Sequence, residues 1–201
     1  TDAACSSFSS NTRFKSVTAN NEILFYGIQV EELSYATSLI PTYGAVRTRL
    51  QDTVLGAGTS SDFNSTEGVL FAEIAALHDD LTTRVISLSN GTNNERLYLF
   101  YNVTTNAINM NYRTGGSTVA TITASVGDIA VNHKVAVVYK SGEFALWIDG
   151  AKVGTGSNTT MMAANTLNTL NLAQGSGSSP LFAKTSQVQV FKTALTDAEL
   201  L

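Results

Sequence analysis

The chain has 201 residues, of which 43% are hydrophobic and 14% charged, with a formal net charge of −4. That balance permits a buried core but supplies no basic field for phosphate backbones or anionic lipid, so neither nucleic acid nor membrane insertion is expected. One cysteine (Cys5) and two histidines exclude an intrachain disulfide and a Cys/His zinc site, and no apolar run approaches the roughly 20 residues that span a bilayer.

In chain order, residues 1–20 are polar with weak periodicity, and Glu22–Glu32 then reads as one strand. The following stretch is punctuated by Pro41 and Gly44 as an ordered connector, which places a boundary at Tyr43: residues 1–43 form an N-terminal segment and 44–201 the main domain. The chain opens at Thr1 rather than Met and is read as a piece of a longer protein. Beyond Phe63, short β-rich segments recur, among them GVLFAEIAAL, TRVISLS, RLYLFYN, AINMNYR, TVATITA, KVAVVYK, FALWID, TLNLAQ and KTSQVQVF, separated by NGTNN, TGG, SG and DG turns. Strands at this spacing predict an all-β fold, a two-sheet antiparallel β-sandwich or jelly roll. The one helical signal is LTDAELL at the end, where Thr196 and Glu199 have capping-box spacing.

Two hairpins give faces. Closing the first at Ser141-Gly142 sets Tyr139 opposite Phe144, Val137 opposite Leu146 and Val135 opposite Ile148, with all large apolar residues on one side. A second turn at Asp149-Gly150 sets Lys152 beside Trp147 and Val153 beside Leu146. Trp147 then points away from the main core, between Ala136 and Lys152, either packed under a loop or subunit or open to a ligand. Closing the other hairpin at Thr105-Asn106 pairs Val103 with Ile108, Tyr101 with Met110 and Leu99 with Tyr112. The reverse face carries Tyr98, Phe100, Asn102, Asn109, Asn111 and Arg113. Amides match vicinal hydroxyls and aromatic rings stack on the C–H side of a pyranose, so this face is a candidate sugar surface; the bland reading is the wet side of an antiparallel sheet.

Catalytic chemistry is thin. Glu67 and Glu73, Glu31-Glu32 and Asp79-Asp80 do not form an alternating carboxylate set, and no phosphate loop, G-x-S-x-G or H-E-x-x-H occurs. His78-Asp79-Asp80 reads as a solvated loop, with weak calcium binding as the other option, and no cofactor is otherwise expected. His133 opens a strand with a structural hydrogen bond. Sequons at Asn64, Asn90, Asn102 and Asn158 signify glycosylation only in a eukaryotic secretory product.

HKVAVVYKSGEFALWIDGAKVG, then LNLAQ and VQVFKTALTDAEL, resembles laminin-G-like domains of the concanavalin A-like lectin/glucanase superfamily, across about residues 63–201. That resemblance implies a jelly roll whose relatives include sugar binders, adhesion modules and spacers. The glucanase branch carries a Glu-x-Asp-x-x-Glu strand that this chain lacks, so the resemblance implies no enzyme. The run Gln29, Glu31, Thr37, Ser38, Ile40, Pro41 and Thr42 is similar to a junction in phage tail and other virion proteins. It implies that the N-terminal segment is the end of an upstream domain, and that the chain serves in a virion, outside the cell, as a homotrimer among other virion subunits. The expected partner is host surface polysaccharide, with Trp147, Tyr98, Asn102, Asn109, Asn111 and Arg113 as binding residues; the alternative is a structural decoration or spacer domain.

Overall fold

Period-two alternation becomes strand throughout the second half of the chain, because side chains on a strand alternate between faces and one apolar face is enough to bury it. The computed structural model describes residues 53–201 and, before them, 38–41, 43, 45 and 47; Cys5, the strand expected at Glu22–Glu32 and Gly44 beyond the expected boundary lie outside the described residues. Residues 53–201 belong to one compact unit.

The strands are β1 (Glu67–Ala76), β2 (Arg84–Ser89), β3 (Arg96–Tyr101), β4 (Ala107–Thr114), β5 (Ser117–Ser125), β6 (His133–Lys140), β7 (Glu143–Ile148), β8 (Ala151–Gly156), β9 (Thr169–Asn171) and β10 (Ala183–Phe191), followed by helix α1 (Asp197–Leu200). They form two five-stranded sheets, ordered β10-β1-β6-β7-β8 and β5-β4-β3-β2-β9. All pairings are antiparallel. The expected β-sandwich is therefore the fold.

The core lies between the sheets. Leu70, Val137 and Leu146 on one side meet Leu88, Leu99 and Met110 on the other, all fully or almost fully buried. Each such side chain contributes about 1.5–3 kcal/mol by leaving water. The ring of Tyr112 lies 6.0 Å from that of Tyr139 and 5.1 Å from that of Phe144. The two tyrosine hydroxyls donate to the carbonyls of Ser65 (3.1 Å) and Asn64 (2.6 Å), which pins the segment entering β1.

A smaller apolar cluster, Val69, Ala136, Val138, Ala145 and Trp147, lies on the outer face of the first sheet, and Leu195 and Leu200 of the returning C-terminal segment pack on it. There the Glu199 carboxylate accepts from both the backbone N–H and the hydroxyl of Thr196 (2.8 Å each), as the sequence spacing predicts.

The β6–β7 hairpin has the expected register, Tyr139 opposite Phe144 and Val135 opposite Ile148. At the next turn both Asp149 (φ 52°) and Gly150 (φ 79°) are left-handed, the conformation whose twist suits a two-residue hairpin. Asp149 also accepts from His133 Nδ1 (2.7 Å) and from the Lys134 N–H (2.9 Å), so β6 holds this turn closed. Lys152 lies opposite Trp147 as expected, but a bulge follows, so Gly154 and not Val153 faces Leu146.

The β3–β4 hairpin corrects the sequence reading further. Tyr101 pairs with Ile108, Leu99 with Met110 and Leu97 with Tyr112, two residues away from the register set by a Thr105-Asn106 turn. The connection spans residues 102–106 because Asn106 is bound elsewhere: its N–H donates to Asp79 Oδ2 (2.9 Å) and its side-chain oxygen accepts from the Ile129 N–H (3.1 Å). Since the slip is an even number, every strand residue keeps its expected face.

Candidate functional site

The outer face of the β5-β4-β3-β2-β9 sheet forms a grid. One row runs Thr121, Asn111, Tyr98, Ser87, Asn171 across five strands, and a second runs Thr123, Asn109, Phe100, Val85. A third places Arg113 beside Arg96. Alternation brings these residues together without help from loops.

The β2–β9 end of the grid is covered. Ser87 donates to the Ala173 carbonyl (2.6 Å), and Asn171 accepts from the Gly56 N–H (2.6 Å), so both are buried under the 173–182 segment and the chain leading to β1. The β3–β5 end is more open, with Tyr98, Phe100 and Arg113 half-buried and Thr121 and Thr123 exposed. The Tyr98 and Phe100 rings are 4.8 Å apart, and the Arg96 guanidinium lies 4.2 Å over the Tyr98 ring, which fixes that ring between a cation and an aromatic neighbour.

The amides sit deeper than an exposed surface would have them. Asn109 is 1% and Asn111 6% exposed. Asn109 accepts from the Thr123 hydroxyl (2.6 Å), and Asn111 donates to the Thr121 hydroxyl (2.7 Å), so each amide holds one β5 hydroxyl in place. Two polar atoms of the grid, Asn111 Oδ1 and Arg96 Nε, are buried without a partner among the described residues. Arg96 otherwise donates to Gln174 (2.9 Å), and Arg113 Nε donates to the Gly116 carbonyl (2.7 Å). Neither guanidinium has a carboxylate in ion-pair range among the described residues. The face thus presents one half-buried cation, Arg113, with a second, Arg96, buried against the Tyr98 ring, together with an aromatic pair and hydroxyls, and its strand residues include no carboxylate or imidazole for general acid–base work.

Of the six residues expected to bind, the structure brings four together here: Tyr98, Asn109, Asn111 and Arg113. Asn102 opens the 102–106 loop, where its side-chain oxygen accepts from the Val103 N–H (2.7 Å). Trp147 is on the opposite sheet, 5% exposed, with the Lys152 ammonium 5.1 Å from its ring centre. Sequence reasoning passed over Arg96, although its place two residues before Tyr98 puts it on the same face by alternation. The contributions of Ser87 and Asn171 required the strand order.

Elsewhere, His133 makes its expected structural contacts, to Asp149 and to the Asp128 carbonyl (2.9 Å). Asp80 is engaged by Arg84, while Asp79 accepts from the Asn106 N–H. Among the described residues no group of three or more His, Cys, Asp or Glu side chains could hold a metal.

A sequence profile described as the concanavalin A-like lectin/glucanases superfamily matches residues 61–201. Among solved structures, the CBM40 of the Ruminococcus gnavus IT-sialidase bound to alpha2,3 sialyllactose is similar, with 16% identity and a TM-score of 0.58 over 75% of this chain and 95% of that one. The native heptameric SAP-like pentraxin from Limulus polyphemus aligns with 16% identity and a TM-score of 0.55 over 73% and 72% of the two chains. The binding domain of botulinum neurotoxin serotype G aligns with 11% identity and a TM-score of 0.53 over 69% and 36%. At these identities the likeness is one of fold. No curated protein sequence matches the chain.

Proposed function

Because the chain belongs to the concanavalin A-like lectin/glucanases superfamily, in its laminin-G-like branch, we propose that it is a non-catalytic carbohydrate-binding domain. The observation that carries this reading is the Tyr98–Phe100 ring pair, flanked by Arg96 and Arg113 without carboxylate partners among the described residues and by the exposed Thr121 and Thr123 on β5. Rings stack on the C–H side of a sugar, hydroxyls exchange hydrogen bonds with its own, and guanidiniums favour a carboxylate-bearing one. The ligand is therefore an acidic polysaccharide. The Ruminococcus gnavus domain, which shares the fold, is bound to a sialylated sugar, which is in keeping with that choice.

In its fuller form the reading places the domain in a phage tail fibre or similar virion protein, exposed outside the cell and recognising host surface polysaccharide. The run from Gln29 to Thr42, similar to virion junctions, supports it. A homotrimer would multiply weak single-site affinity.

Binding of purified acidic and neutral surface polysaccharides to immobilised protein tests the proposal, with Tyr98→Ala as the control. Saturable binding of an acidic glycan that the variant loses at least tenfold is expected. A well-folded protein that ignores every glycan, or binds equally well without Tyr98, overturns it and leaves the spacer role in its place.

A further inference from the structure

The order of side chains along β3 leaves one aromatic surface free. Residues two apart on a strand point the same way and stand roughly 7 Å apart, so Arg96 and Phe100 flank Tyr98 from opposite sides. The Arg96 guanidinium lies 4.2 Å over the Tyr98 ring, and the Phe100 ring lies 4.8 Å from it at 32°. Both faces of Tyr98 are therefore taken.

The stack is anchored at its arginine end. Arg96 is 6% exposed and donates from Nη1 to Gln174 Oε1 (2.9 Å). Gln174 is held in turn, since its N–H donates to the Ser178 carbonyl (2.8 Å) and its carbonyl accepts from the Gly177 N–H (2.7 Å). At the other end Phe100 is half-buried, and beyond Tyr98 no ring or cation lies against it among the described residues. In the same row Thr123 is exposed, and because its proton goes to Asn109 Oδ1 (2.6 Å), its hydroxyl offers only lone pairs to a newcomer. An uncovered ring face beside an oxygen that only accepts suits the C–H side of a sugar and one of its hydroxyl protons.

Charge is met elsewhere on the face. Phe100 pairs with Asn109, four residues along β4 from Arg113, which is roughly 14 Å at the rise of a strand. Arg113 Nε donates to the Gly116 carbonyl (2.7 Å), so its side chain leans toward the β4–β5 turn and away from Phe100. That span is wider than one pyranose, and a sugar seated on Phe100 cannot bring its own carboxylate to Arg113.

We propose that Phe100 is the platform on which the sugar stacks, with Tyr98 and Arg96 as the layers that hold it upright, and that the carboxylate met by Arg113 belongs to another unit of the same glycan. The ligand is then an acidic oligosaccharide of at least two units, read at two separate points. This rests on the carbohydrate-binding reading above and decides which ring of the pair meets the glycan.

Isothermal titration of the full chain tests it, with tetrasaccharides of hyaluronan, polygalacturonate and polysialate, native and carboxyl-reduced, and with their constituent monosaccharides. Binding of at least one native tetrasaccharide is expected, weakened tenfold or more by Phe100→Leu, with most of that loss recovered by Phe100→Tyr, which restores a ring. The monosaccharides should bind at least tenfold more weakly than the tetrasaccharide they come from. Carboxyl reduction should erase the effect of Arg113→Gln and preserve that of Phe100→Leu. Circular dichroism checks the fold of each variant, and the comparison of chain lengths needs no variant at all. Full binding by a folded Phe100→Leu protein, or a monosaccharide that matches its tetrasaccharide, overturns this inference while the carbohydrate-binding reading stands; a folded parent protein that binds no tetrasaccharide overturns both.

Discussion

Gly154 lies directly beneath Ile122: a Cβ at residue 154 would stand 2.3 Å from the Ile122 Cγ2 atom. The edge strand β8 and the edge strand β5 thus close the open side of the sandwich at one point, where glycine is required by contact. Gly154→Ala should destabilise the domain by about 1–3 kcal/mol, the usual cost of overpacking a tight core. Gly127→Ala, where a Cβ meets nothing within 4 Å, should be close to neutral. Denaturant unfolding of the two variants side by side measures the contrast.

Asp149 gives an acid-side signature. Burial pushes its carboxyl up, but hydrogen bonds from His133 and the Lys134 N–H outweigh this and hold it below its ordinary value of 3.8. A depressed carboxyl stabilises the fold above its unfolded value and loses that contribution as pH falls through the folded one. Asp149→Asn should therefore flatten the stability curve below about pH 4 relative to the parent protein, with the two curves running parallel above it. Thermal unfolding across that range reads the difference.

Tyrosines give the alkaline counterpart. Burial raises the phenol of Tyr112 to about 12 and those of Tyr101 and Tyr139 higher still. The unfolded chain releases these protons near pH 10, so stability must fall as pH climbs past roughly that value. Absorbance of tyrosinate from these three residues should rise together with loss of β-sheet circular dichroism. A smooth titration complete before unfolding would contradict their burial.

Salt should separate the two arginines from the rings. Arg113→Gln is expected to weaken binding of an acidic polysaccharide several-fold at low ionic strength, and the gap should shrink toward 1 M salt, where the screening length falls to about 3 Å. Tyr98→Ala should cost affinity at every salt concentration, since stacking is not screened. Isothermal titration at two ionic strengths decides this.

Lys152→Ala should uncover Trp147 while costing under about 1 kcal/mol of stability, since both its cation–π contact and its 2.6 Å ion pair with Asp197 are near the surface. Iodide quenching of the indole should rise accordingly.

What the sequence made legible follows the turns. Ser141-Gly142 and Asp149-Gly150 are two-residue hairpins, and dipeptides of that kind fix register locally, so Tyr139, Phe144, Trp147 and Lys152 fall where alternation puts them. The bulge that seats Gly154 opposite Leu146 answers to Ile122 on the far sheet, which no local pattern contains. Asn106 likewise closes its loop through Asp79 and Ile129, both distant in the chain. On the candidate face, Tyr98, Asn109, Asn111 and Arg113 were readable from alternation alone. Arg96, two residues before Tyr98, was readable in the same way, whereas the covering of Ser87 and Asn171 and the depth of the amides depend on how strands from separate parts of the chain lie side by side.

The C-terminal segment folds back over the Trp147 cluster, and the carbonyl of Leu201 ends beside the Asp149-Gly150 turn. Tyr98 and Arg113 look out from the other side of the sandwich. Coupling the protein to a sensor chip or bead through residue 201 would therefore present the arginine face to solution and leave the outer face that carries Trp147 against the support, so the choice of attachment point decides which of the two faces an immobilised assay can see.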